Sequence, residues 1–304
     1  MLSPVLKALA AAALALCLLD PVLGQQSNAF VVPYTGTLKK VNESGVLRIG
    51  YRENSPPFAF LDPKAKPIGY ALDLCAVVIE EIAGELRKDF RVDYRPVTPE
   101  NRFDLLNSGA IDLECGSTTN NSERRKLAAF SPTMFVTGTK LLVRQASGIR
   151  HFADLRGKTV VLTRGTVQAQ AIPKLAERQK LAIRFVTAED HRQSFDLLAA
   201  GKADAFANDD VQLYGMLAET KSGGSYRVVG DFLTYADYAL MLRKDDPEFA
   251  AVVERAFARL AGSREIVAIY EKWFLQPLPS GVRLNLPMSP HLEELFRVQG
   301  LPAD

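Results

Sequence analysis

The stretch Glu114–Arg125, ECGSTTNNSERR, places small hydroxyl and amide side chains directly ahead of two arginines. A strand is expected to end inside it and a helix to begin, spanning 122–129. Backbone N–H groups at such a helix start, with the Ser117 and Thr119 hydroxyls, suit a carboxylate. Arg124 adds a two-pronged donor, a geometry lysine does not offer. The same residues also fit an ordinary capped helix carrying solvated arginines. Asn208-Asp209-Asp210 is a second polar segment at an expected strand end.

The elements that must position these groups alternate along the chain. GVLRIGY (45–51) reads as a buried strand, 71–90 has helical spacing, and Phe90, Val92 and Tyr94 alternate as a strand does. LLVR, TVVLT, a helix through Lys174 to Lys180 and AIRFV follow, then helices over 247–260 and 265–274 and an irregular tail from Pro277. This βαβ pattern predicts parallel-rich sheets covered by helices. An internal echo divides it: Phe103-Asp-Leu-Leu-Asn-Ser-Gly-Ala-Ile-Asp112 repeats as Phe195-Asp-Leu-Leu-Ala-Ala-Gly-Lys-Ala-Asp204. Two lobes of similar topology are therefore expected. In open α/β sheets ligands sit beyond the carboxyl ends of strands, and the repeat sets Ser117 opposite Asp209 there.

Composition narrows the class. At the N-terminus, Lys7, the apolar run 8–19 and small residues near Gly24 predict a secretory signal peptide over 1–24. The run is too short for a lasting span, so the mature chain is expected to be soluble and periplasmic. About 280 residues remain, enough for two packed domains. A net charge of +2 leaves no nucleic-acid footprint. Two cysteines, Cys75 and Cys115, persist after cleavage. An exported chain permits a disulfide between them, and an apolar stripe around Cys75 equally permits a buried thiol. Three histidines with no ligand spacing predict no metal, and no cofactor is expected.

The run ECGSTTNNSERRKLAAFS resembles the signature of solute-binding family 3, the polar amino-acid-binding proteins of ABC transporters, and within them the glutamate/aspartate type. Further matches run in order: GYRENSPPF (50–58), Asn101-Arg102, HFADLRG (151–157), Thr163-Arg-Gly-Thr166, AEDH (188–191), Asp209-Asp210, MLRKDDP (241–247) and Lys272-Trp-Phe274.

The resemblance implies a type II periplasmic-binding-protein fold with the ligand cleft between its lobes. Residues 37–139 begin lobe 1, 140–239 form lobe 2, and 240–304 complete lobe 1 and add the tail. Two crossing strands, near 138–142 and 238–242, would act as the hinge. By resemblance Arg124, Thr119 and Thr166 hold the ligand α-carboxylate, and Asp209 with Ser117 receives the α-ammonium. Arg52, Arg102 and His191 face a side-chain carboxylate, and Thr163 belongs to the same ligand-binding set. Pro99 stands where close glutamate/aspartate members have a serine, which removes a hydroxyl that Thr98 or water would replace.

Charge counting agrees with an acidic ligand. Three arginines against one aspartate, with His191 able to add a proton, match two carboxylates and one ammonium. Glutamine would leave Arg52 and Arg102 without a charge partner, and buried unpaired charge costs several kcal/mol. The expected partners are L-glutamate or L-aspartate and the membrane permease subunits of an ABC importer, with the protein monomeric. Two alternatives are an enzyme on the same fold, resembling cyclohexadienyl dehydratase and using Glu114, Asp209 and His191 as acid or base, and a binder of another polar amino acid.

Overall fold

The computed structural model describes residues 33–303. The expected signal peptide, 1–24, lies outside the described residues. In chain order the elements are α1 (Gly36–Ser44), β1 (Val46–Tyr51), β2 (Asn54–Ser55), β3 (Ala59–Leu61), β4 (Pro67–Ile68), α2 (Tyr70–Leu86), β5 (Arg91–Pro96), α3 (Arg102–Asn107), β6 (Leu113–Thr119), β7 (Ala129–Phe130) and β8 (Phe135–Arg144). They continue with β9 (Thr159–Thr163), α4 (Val167–Arg178), β10 (Arg184–Ala188), α5 (His191–Ala199), β11 (Ala205–Asp209), α6 (Asp210–Glu219), β12 (Tyr226–Val229), β13 (Tyr235–Leu242), α7 (Pro247–Gly262), α8 (Glu265–Phe274) and α9 (Pro290–Val298).

The main sheet runs in the order β10-β9-β11-β8-β13-β6-β1-β5. β1 pairs in parallel with β5 and β6, and β9 in parallel with β10 and β11. β8 and β13 run antiparallel between these two parallel sets, pairing Phe135 with Tyr238 and Gly138 with Tyr235. These are the two crossing strands; their pairing begins ahead of the segments expected to act as the hinge, 138–142 and 238–242.

Period-two burial builds the second set of strands. Leu141, Val143, Val160, Leu162, Ala205 and Ala207 pack to one face of it, and Leu142, Val161 and Phe206 to the other. The repeat has a physical basis. In the first copy, Gly109 (φ +73°) turns the chain, and Asp112 exchanges bonds with Arg48 of β1, its N–H donating at 2.7 Å and its carboxylate accepting at 2.8 Å. In the second, Gly201 (φ +74°) turns the chain and Asp204 does the same with Thr159 of β9, both at 2.8 Å. Each aspartate thus ties the start of its own strand to the edge of the first strand of its set.

Two expectations are corrected. No α-helix spans 122–129: the chain makes one 3₁₀ turn at Arg124–Lys126 and enters β7. Nor is the tail irregular throughout. Ser289 caps α9, Pro290 starts it, and Leu292 and Phe296, one turn apart, are buried. Arg297 and Glu293 pair on its exposed side. Of the two states open to the cysteines, the bonded one is present: Cys75 on α2 is joined to Cys115 on β6. No helix among the described residues is long and apolar enough to cross a membrane.

Candidate functional site

Arg52 leaves the end of β1 and Arg102 opens α3, both only 2% exposed. Arg52 Nη2 and Arg102 Nε have no hydrogen-bond partner among the described residues. Burial pushes the Arg52 guanidinium down to about 9, and the Arg102 charge beside it adds to the drop. Burial likewise lowers Arg102. Arg124 is pushed down to about 9 for the same two reasons. It donates to the carbonyls of Thr119 (3.2 Å) and Gly165 (3.0 Å), and it shares the Phe103 ring with Arg102.

Asp209 ends β11 at the start of α6. Its carboxylate accepts from Gln168 Nε2 (2.6 Å), Thr139 Oγ1 (3.1 Å) and the Tyr238 hydroxyl. Burial pushes its pKa above the usual carboxylate range, while these bonds oppose the rise. Ser117 Oγ accepts from Gln212 Nε2 at 2.7 Å. Thr166 caps α4: its hydroxyl accepts from Ala169 N–H (3.2 Å) and donates to the Thr163 carbonyl (2.6 Å). The first-turn N–H groups of α4, which have no partner inside a helix, therefore point past Thr166.

Arg52, Arg102, Ser117, Thr119, Arg124, Thr166, His191 and Asp209 line one cavity. Thr163 does not line it. It stands behind His191, with its Oγ1 2.9 Å from His191 Nδ1 and 2.8 Å from Ser194 Oγ. Burial, then the Arg52 and Arg102 charges, hold His191 well below the usual imidazole range. These causes favour the neutral ring. Thr98, expected as one replacement for the missing serine hydroxyl, is not among the residues lining this cavity, and its Oγ1 accepts from Asn101 N–H at the start of α3.

Gln168, Gln212 and Tyr238 also line the cavity and were not singled out as ligand groups. Gln168 and Gln212 sit in the first turns of α4 and α6, two and three residues past Thr166 and Asp209, where a signal was available. Tyr238 lies on the crossing strand β13, read for its hinge position alone. Asn208, beside Asp209, lines the cavity as well.

Residues 47–276 match the profile of the bacterial extracellular solute-binding proteins, family 3. The chain is 41% identical over 263 residues to a glutamate/aspartate import solute-binding protein of Salmonella typhimurium, covering 86% of this chain and 87% of that one. It is 41% identical over 265 residues to an L-glutamate/L-aspartate-binding protein of Pseudomonas aeruginosa, covering 86% and 88%. Among solved structures, a mutant of ArgBP from T. maritima aligns with a TM-score of 0.70 at 23% identity, over 79% of this chain and all of that one, a likeness of fold. The crossing strands, the repeated βα sets and the match over most of the chain lead to one conclusion: this chain belongs to the bacterial extracellular solute-binding proteins, family 3, with the two-lobed type II fold.

Proposed function

We propose that the protein captures an acidic L-amino acid, glutamate or aspartate, in the periplasm and hands it unchanged to the permease subunits of an ABC importer. Residues 37–139 with 240–304 form one lobe and 140–239 the other. The lobes close on the ligand by bending at β8 and β13, and the protein acts as a monomer exported through residues 1–24. The observation that carries this is the pair of buried guanidiniums, Arg52 and Arg102, each with an N–H group that no atom of the described residues satisfies. Such donors cost free energy until an anion meets them. Arg124 with the start of α4 suits the α-carboxylate, and Asp209 suits the ammonium. The relatives from Salmonella and Pseudomonas, named for glutamate and aspartate, support the same ligand class.

Titration calorimetry of the ligand-free protein with L-glutamate, L-aspartate and their amides tests the proposal. The acids should bind at least tenfold tighter than glutamine and asparagine, with the ligand recovered unaltered. Arg124→Ala should weaken every amino acid, because all present an α-carboxylate. Arg102→Ala should penalise the acids far more than the amides, and equal losses for both would refute the assignment of the side-chain pocket.

A further inference from the structure

Glu114 is fully buried on β6, yet it does not line the cavity. Side chains alternate along that strand. Ser117 and Thr119 reach the cavity, whereas Glu114, Gly116 and Thr118 share the other face. The Glu114 carboxylate folds along this face, accepting from Thr118 Oγ1 at 2.6 Å. Gly116 makes the fold possible, since a Cβ there would lie 2.3 Å from Glu114 Oε1 and 3.0 Å from Arg52 Cγ. The same glycine thus brings the carboxylate beside the Arg52 side chain. Glu114 Oε1, Arg52 Nη2 and Arg102 Nε are all buried without a hydrogen-bond partner among the described residues.

We propose that Glu114 is a positioning residue that acts from behind the guanidiniums and sets the charge of the site to match an acidic amino acid. Three guanidiniums against Asp209 alone leave a surplus of two positive charges, one more than a ligand of net charge −1 neutralises. With Glu114 the surplus is one, and while His191 stays neutral the loaded site is neutral. The Glu114 charge also favours the protonated form of Arg52, Arg102 and Arg124. Asp190, the other carboxylate near Arg52, is committed at the rim, accepting from Gln193 N–H (2.8 Å) and Asn54 Nδ2 (3.1 Å).

The proposal rests on the acidic-amino-acid function above, and its test separates the two. Glu114→Gln keeps the shape and the bond from Thr118 but removes the charge. The Kd for glutamine divided by that for glutamate, measured by calorimetry, should rise at least tenfold over the unaltered protein, because the arginines then look only to the ligand for an anion. A ratio that stays the same, with both ligands weakened alike, means a structural role and overturns the proposal. An unaltered protein that binds no glutamate is instead the failure of the function. Should Glu114→Gln not fold, Arg102→Gln and the double variant are compared by melting. The double variant should be the more stable, having lost the carboxylate together with its cation, and a double variant no more stable than Arg102→Gln overturns the proposal.

Discussion

The proton on His191 is assigned by its neighbours. Ser194 Oγ donates to the Asp190 carbonyl at 2.9 Å, so it accepts from Thr163, and Thr163 in turn must accept from His191 Nδ1. The neutral ring therefore carries its proton on Nδ1 and leaves Nε2 bare. If a ligand side-chain carboxylate faces Nε2 as proposed, it meets a donor there only once Nε2 takes up a proton. The sign follows from the direction of the shifts. In the ligand-free site the imidazole sits well below 6.5, held down by burial, Arg52 and Arg102. A neighbouring carboxylate raises it. Between the two values binding takes up a proton, and the affinity for glutamate should rise as pH falls through the bound-state value. Glutamine brings no such carboxylate and should show a flatter profile. Calorimetry from pH 8 to pH 6, in buffers of different ionisation enthalpy, measures the uptake, and His191→Gln should abolish it. Identical pH profiles for glutamate and glutamine would remove His191 from the side-chain pocket.

At the scale of elements, strand β6 carries much of the site, with Glu114, Ser117 and Thr119 on it and Arg124 just beyond. Its tether is the Cys75–Cys115 bond to α2, which closes a loop 40 residues apart in sequence. A loop of that size restricts the unfolded chain enough to stabilise the fold by about 2–4 kcal/mol. Cys75→Ala/Cys115→Ala should lower the urea-unfolding free energy by that amount. Glutamate affinity should change less than threefold, since neither sulfur reaches the cavity; a larger loss of affinity than of stability would show that the tether shapes the site. How far these elements could be read in advance varied with the kind of signal. The αβ alternation, the Asp112/Asp204 repeat and the strand-end polar segments stand in the residue pattern itself, and eight of nine predicted site residues meet at one cavity. Three features did not. The helix expected at 122–129 is refused because the chain must turn back at once to pair β7 with β13. α9 is short, and its Leu292–Phe296 stripe is only two residues long. Thr163 sits behind His191, its Oγ1 against Nδ1, and alternation along one strand does not reveal a side chain screened by another.

At the scale of the whole molecule, the two βα sets meet over the cavity through contacts that tolerate no extra atoms. A Cβ on Gly165 would lie 2.5 Å from the Glu100 Cα and N and from the Pro99 carbonyl carbon, all backbone. Around it, Arg164 reaches Glu100 at 3.4 Å, and Arg124 donates to the Gly165 carbonyl. On the far side, a Cβ on Gly215 of α6 would lie 2.2 Å from the Pro56 carbonyl oxygen. If the lobes close as proposed, Gly165→Ala wedges them apart at the point where Arg124 meets the start of α4. Glutamate and aspartate should both bind at least tenfold more weakly, and their addition should no longer shrink the radius of gyration in solution scattering. Backbone strain is a competing cause, since Gly165 has φ +71° and a side chain there costs about 1–2 kcal/mol. Gly157→Ala separates the two effects. Gly157 has φ +74°, nearly the same conformation, with no atom within 4 Å of an added Cβ. That variant should lose comparable stability and keep its affinity and its ligand-induced compaction. Equal affinity losses in both variants would assign the effect to strain, and full affinity in Gly165→Ala would mean that binding does not need this contact between the lobes.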